Sequence, residues 1–395
     1  MPRKNILIAT IFFSTTLIYF CLLSSVSALS DDLPTQETKR LTIAAVGDVM
    51  MPLSIQTAVA RNKKGYDILF EKIADDLGAA GITFANLETP VDHKADVSGY
   101  PKFNSRRGLL TSLKKAGVDI VSVANNHIMD AGVAGLKRTL DNISAAGLVY
   151  TGAGKTKKEA AEMKTAAADG IVVGFLAYTY STNERLPSHN ADAPGVNILR
   201  YHSAGDLEQA AVYVQHAKKS ADLIIVSLHW GDEYATQPTY WQRKTAYELI
   251  EAGADIIIGH HPHVLQPIEI YTAGDGRKGL IAYSLGNFIS SQNKGVSFNN
   301  KDNYRALRGD GIILNITASK SGDKVIIEKI GFIPIWTLRE NVGRSCIARP
   351  IALAREISNL EEKSTLSREE EDRLMLLRHR HNVITDRLSP PADNH

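Results

Sequence analysis

Cysteine is nearly absent: two residues in a chain of 395. Cys21 lies in an apolar N-terminal run, and Cys346 stands alone beyond it. This excludes an internal disulfide framework after the run and a cysteine cluster for structural zinc. An excess of one charge is also missing, since 45 Lys and Arg face 43 Asp and Glu. No basic stripe is present, so nucleic acid is not an expected partner. No internal repeat is evident. With 44% hydrophobic residues the chain can bury one large core or two ordinary ones.

The N-terminus is informative. Arg3 and Lys4 precede the apolar run Ile6 to Val26, and Val26-Ser27-Ala28 offers small residues before a cleavage point. That order reads as a secretory signal. The run is about twice the usual length of a signal core, so an uncleaved anchor with its N-terminus inside is equally open. Cys21 lacks the small residues expected ahead of a lipidated cysteine. Residues 1–28 are therefore a signal peptide or membrane anchor, and everything after Ser30 is expected outside the cytoplasmic membrane. The remainder is close to neutral, because the first 28 residues contribute only Arg3 and Lys4 to the charge.

From Leu41 short apolar runs alternate with helical patterns. Strands are predicted at 41–49, 83–88, 118–125, 170–178, 221–230 and 254–261. Helices are predicted at 67–80, 107–117, 132–146, 206–220 and 239–253. VLQPIEIY, LIAYSLGNF, GIILNI and KVIIEKIGFIPI then read as mostly β. This alternation predicts an α/β fold with a layered mixed sheet, over residues 41–345. A charged helical tail is expected over 351–395.

Polar residues appear abruptly where the apolar runs stop. Gly47-Asp48, Asn86-Leu87-Glu88, Asn125-Asn126-His127 with Asp130, His229-Trp230-Gly231-Asp232-Glu233 and Gly259-His260-His261-Pro262-His263 each end a predicted strand. Open α/β sheets bind ligands at that edge. Singly, each motif is ambiguous: Gly-Asp is a common turn, and Asn86 or Asn125 alone suits a turn or cap. His261 and His263 are the stronger pair, because alternate residues of a strand share a face. Together, five strand ends deliver Asp, Glu, Asn and His, the side chains that bind divalent metals through oxygen and nitrogen. Five of the 12 histidines fall in these clusters. Burying them without a metal would strand several polar groups.

These motifs, with VSVANNHIMDAG (121–132), GADIIIGHHPHVLQ (253–266) and YSLGNF (283–288), resemble in order and content the CapA family. Its members are poly-γ-glutamate capsule biosynthesis proteins, with a fold similar to calcineurin-like metallophosphoesterases. The resemblance spans about residues 42 to 290. It implies two divalent ions (Mn, Zn, Fe or Mg) held by Asp48, Glu88, Asn126, His229, His261 and His263. Glu88 would be the bridging acid, and His127 the general acid or transition-state stabiliser. Metallophosphoesterases carry Asp-x-His at the first strand; here the third position is Met50. A thioether is a poor partner for hard ions, so one metal site is expected to be weakened or completed otherwise. Asp130 and Glu233 are candidates to orient imidazoles. Lys102, Asn104, His260 and Asn287 are candidates to line the site, and Arg106 and Arg107 read better as solvated loop charges.

The resemblance implies work on a capsule or envelope polymer. The residues imply a metal-dependent hydrolase acting on a phosphoester, another ester or an amide. Expected partners are an anionic polymer or phosphoester substrate and membrane synthase or export components. The competing reading is a non-catalytic anchored scaffold or export component that binds the polymer. An envelope phosphatase unrelated to capsule would use the same site.

Overall fold

The computed structural model describes residues 38–388 apart from 187–189, 191 and 344. The apolar N-terminal run, and with it the signal-or-anchor expectation, lies outside the described residues. Among the described residues no helix is long and apolar enough to cross a membrane.

Strands β1 (Lys39–Val49), β2 (Ile82–Leu87), β3 (Ile120–Ser122) and β4 (Val149–Thr151) run parallel in one sheet. Then follow β5 (Ala153–Gly154), β6 (Lys164–Ala168), β7 (Ile171–Thr179), β8 (Gly195–Val196), β9 (Leu223–His229), β10 (Ile256–His260), β11 (Ile268–Thr272) and β12 (Lys278–Ala282). A second sheet has the order β11-β12-β10-β9-β7-β6. Its inner strands are parallel and its two edges antiparallel. The chain then returns to the first sheet as β13 (Asn287–Ile289), parallel to β1, and β14 (Asp310–Ser321), antiparallel to it. β15 (Lys324–Val342) and β16 (Ser345–Ala352) complete that sheet.

Both faces of each central strand are buried, which is why these strands read as continuous apolar runs. On β1, Leu41, Ile43 and Ala45 enter a core between the two sheets, while Ala44 and Val46 face an outer helix layer. Phe84 of β2 and Phe175 of β7 stack across the inter-sheet core at 5.9 Å. Helices Gly108–Lys115 and Gly132–Ala145 cover one outer face through Leu109, Leu113, Leu136 and Leu140. Helices Ala204–Ala217 and Tyr240–Glu251 cover the other through Val214, Ala246 and Leu249. Each such Leu or Val side chain contributes about 1.5–3 kcal/mol by leaving water. The layered mixed-sheet α/β class read from the sequence is the fold observed.

Predicted helix 67–80 is instead a 3₁₀ turn at Gly65–Leu69 and a short helix at Ala74–Gly78. Ile68, Leu69, Ile73 and Leu77 are all buried. Their periodicity recorded one buried face, which a chain broken into turns supplies as well as a continuous helix. The tail forms helices Leu353–Glu361 and Arg368–Leu388, and Leu360, Leu374, Leu377 and Ile384 join the inter-sheet core.

An ion pair fastens that tail. Arg380 donates through Nε to Asp310 Oδ1 at 3.0 Å and through its terminal nitrogen to Oδ2, both side chains being 2% exposed. Burial pushes the Asp310 carboxyl up to about 6 against the pull of Arg380. Arg380→Met is expected to cost about 3–5 kcal/mol, because it strands one partner of a buried pair. Asp310→Asn in the same chain should recover part of the loss. Urea unfolding at fixed pH reads both, and a double variant no more stable than the single one would remove the ion pair as the cause.

Candidate metal centre

The carboxyl ends of parallel strands from both sheets meet at one place. Asp48 lies on β1 and Glu88 just after β2. Asn125, Asn126 and His127 follow β3, His229 ends β9, His260 ends β10, and His261 and His263 follow it. Two glycines permit this closeness. A Cβ on Gly47 would stand 2.0 Å from the Gly286 carbonyl oxygen, and that carbonyl accepts the Asp48 N–H at 3.1 Å. A Cβ on Gly259 would stand 1.9 Å from the Tyr283 oxygen. The glycine ahead of each polar cluster therefore answers to backbone contact.

Asp48 is wholly buried and fully engaged. Its Oδ1 accepts from Asn86 Nδ2 at 2.8 Å, and its Oδ2 accepts from His263 Nδ1 at 2.9 Å. His260 Nδ1 lies 3.4 Å from Oδ1. Burial opposes ionisation, but His260 and His263 outweigh it and hold the carboxyl well below the usual range. His263 Nδ1 is spent on Asp48, so its Nε2 faces onward, 3.8 Å from Glu88 Oε1.

Glu88 is the opposite case. Both carboxylate oxygens are buried, with no hydrogen-bond partner among the described residues. His229 Nε2 stands 3.6 Å from Oε1 and 2.9 Å from Asn126 Oδ1. Burial, then the charges of Asp48, Glu233 and Asp130, push the Glu88 carboxyl well above its usual range. Burial, then His261, drives His229 well below the imidazole range. Burial, then His263, lowers His261 to about 3. Both imidazoles are thus neutral at pH 7, the form that ligates. His261 Nδ1 and both His260 ring nitrogens are also buried without partners.

Ligand atoms of Glu88, His229 and His261 lie within 4.8 Å of one another, as do those of Asp48, Glu88 and His263, and those of Glu233, His261 and His263. Two of these sets share Glu88, the position expected for a bridging acid. The orphaned oxygens and nitrogens, each costing about 1–3 kcal/mol when unmet, fit a divalent cation by donor type.

His261 and His263 do face one site, with ring centroids 5.8 Å apart, but not through strand alternation. β10 stops at His260, and both residues have left-handed backbones, with φ of 92° and 57°. The Pro262 turn aims them, at a strain of about 1–3 kcal/mol each. Met50 is buried, and its side chain adds no oxygen or nitrogen to the site.

His127 sits beside these groups. Its Nδ1 lies 2.7 Å from Asp130 Oδ2, which also accepts the Phe103 N–H at 2.8 Å. The Phe103 ring meets the imidazole edge-on at 4.7 Å. Other predicted residues are spent elsewhere. Asn104 clamps its own loop through the Asp92 and Asp96 carbonyls and the Asp92 N–H. Lys102 is exposed and pairs with Glu184 at 2.6 Å. Arg107 donates to Asn142 and contacts His93, and exposed Arg106 reaches the Ala95 carbonyl. Asn287 donates to the His263 and Arg308 carbonyls, bracing the histidine loop.

The sequence reading missed Tyr180 and Asn183, which follow β7. Tyr180 lies 5.0 Å from the His261 ring, and Asn183 donates its N–H to the Asn126 carbonyl at 2.8 Å. The signal was the polar stretch after the 170–178 run, a sixth strand end.

Fold and cluster together define a layered α/β protein with a candidate divalent-cation centre where two facing sheets end. The pattern of the family described as bacterial capsule synthesis protein PGA_cap matches residues 42–292, and the chain belongs to that family. It is 33% identical over 270 residues to a capsule biosynthesis protein CapA of Bacillus anthracis, covering 65% of this chain and 61% of that one. It is 32% identical over 256 residues to the PGA biosynthesis protein CapA of Bacillus subtilis (strain 168), covering 64% of each. The chain thus spans under two thirds of the length of these relatives. A solved calcineurin-like phosphoesterase, YfkN of Bacillus subtilis, aligns over 89% of this chain and 99% of its own at 12% identity and a TM-score of 0.39.

His229→Ala and His261→Ala are each expected to lower bound manganese or zinc at least tenfold, with the fold retained by circular dichroism. Elemental analysis of the dialysed protein checks this; unchanged metal stoichiometry in both variants would remove the ligand assignment.

Proposed function

We propose that this chain works outside the cytoplasmic membrane on an anionic envelope polymer, poly-γ-glutamate being the polymer its relatives' names suggest. Its centre would be a divalent-metal-dependent hydrolase site. The observation that carries the reading is Glu88: a buried carboxylate with both oxygens unpartnered, set among imidazoles that are neutral at pH 7.

Asp48, Glu88, Asn126, His229, His261 and His263 would hold two divalent ions. Such ions activate a bound water and neutralise charge on the scissile ester or amide. The residues supply the rest. Asp130 accepts from Nδ1 and so fixes the ring with Nε2 turned away from it, and in the doubly protonated imidazolium form Nε2 would donate a proton to the departing oxygen or nitrogen. Phe103 holds the imidazole plane and sheds water from one side. The Phe103 N–H on Asp130 keeps that carboxylate in position.

His127→Ala should keep its metal and lose about 10²–10⁴ in kcat, the range for removing a general acid. Dialysis against a chelator should abolish turnover in the native protein, and added manganese should restore it. Aryl phosphate and γ-glutamyl anilide hydrolysis, read beside metal content, test this. Metal bound with no turnover of either would favour a polymer-binding scaffold. Full activity in His127→Ala would end its role as acid.

A further inference from the structure

We propose that Arg308 is a substrate-binding residue that grips an oxyanion, carboxylate or phosphate, at the edge of this centre. The inference rests on reading the centre as the place where substrate binds. Arg308 lies in the 3₁₀ turn Ala306–Gly309 that leads into β14. Because β14 runs antiparallel to β1, its first residues meet the carboxyl end of β1, where Asp48 stands.

The backbone of Arg308 is fixed to the histidine loop. Asn287 Nδ2 donates to the Arg308 carbonyl at 2.9 Å and to the His263 carbonyl at 3.2 Å. The side chain is fixed as well. Its guanidinium carbon lies 3.5 Å from the centroid of the Tyr234 ring, and that ring lies 6.2 Å from the His263 ring. Tyr234 has a left-handed backbone, with φ of 67°, so its ring is aimed at a cost in strain. Stacking on a ring face immobilises a guanidinium and leaves its N–H edge free.

That edge is unspent. Among the described residues no carboxylate pairs with Arg308, and its buried Nε has no hydrogen-bond acceptor. Lys102 and Arg107, by contrast, are occupied by Glu184 and by Asn142 with His93. A buried donor is normally satisfied, and a guanidinium fork matches a two-oxygen anion. Arg308 is thus ready to take a charged group that flanks the reacting bond. A chain of repeated carboxylates offers one at every residue.

The test measures binding, not turnover. Calorimetry of the full chain uses two probes, γ-linked tetraglutamate and inorganic phosphate, with and without manganese. Arg308→Met should weaken tetraglutamate about tenfold or more and leave metal content and melting temperature unchanged. Arg308→Lys, which keeps the charge but not the flat fork, should recover little. Arg305→Met, at the exposed start of the same turn, controls for general charge. Weakening of phosphate alone would keep the site and make phosphate its ligand. Equal losses in Arg305→Met and Arg308→Met, or no loss for either probe, would overturn the proposal. A protein that binds through Arg308 but hydrolyses nothing would sink the catalytic reading and leave this one standing.

Discussion

The structure turns on a carboxylate that none of the described residues satisfies. Glu88 is wholly buried, faces Asp48 across the site, and has no donor on either oxygen. A lone buried charge of this kind is among the most costly features a fold can carry. Proteins rarely keep one unless a cation or a proton completes it. The neighbours favour the cation, since His229 and His261, both neutral at pH 7, and the Asn126 amide oxygen lie beside Glu88 as ready donors of lone pairs. Other residues of the site gain meaning from this. Asp48 orients His263, Asn86 orients Asp48, and Asn287 ties down the loop that carries His263.

Holding such a group requires a rigid frame, and the two-sheet layering provides it. Strands buried on both faces cannot shift without opening an apolar core. Their carboxyl ends are therefore fixed points, and left-handed His261 and His263 are strained conformations that this frame can hold. Gly47 and Gly259 let the polar residues that follow them sit against backbone atoms of the 283–286 segment.

Much of this was legible in the sequence. Long runs such as LTIAAVGDV announce strands buried on both faces, and the abrupt appearance of Asp, Glu, Asn and His marks their ends. Periodicity was less reliable over 67–80, where four buried residues matched a helix and the chain instead makes turns. The convergence of His261 and His263 was anticipated for the wrong reason, because a turn and not the pleat aims them. Asn104 was a candidate to line the site, yet its amide is absorbed by its own loop. Arg308 gave no local signal. Its placement follows from β14 pairing antiparallel to β1, and a pairing between residues so distant in sequence leaves no mark on the residues around it.

That same pairing links the tail to the site. β14 begins at Asp310, two residues after Arg308, and Asp310 is the buried partner of Arg380. Arg387, on the same helix, donates to the Leu265 carbonyl two residues after His263. The last helix therefore braces both segments that flank the centre, the histidine turn and the turn that presents Arg308. A solvated tail would leave Asp310 uncompensated beside the site and free the 306–309 turn to move. The charged composition of the tail concealed this, because a helix with acidic and basic residues on most of its surface can still pin a core through one buried arginine and a line of leucines.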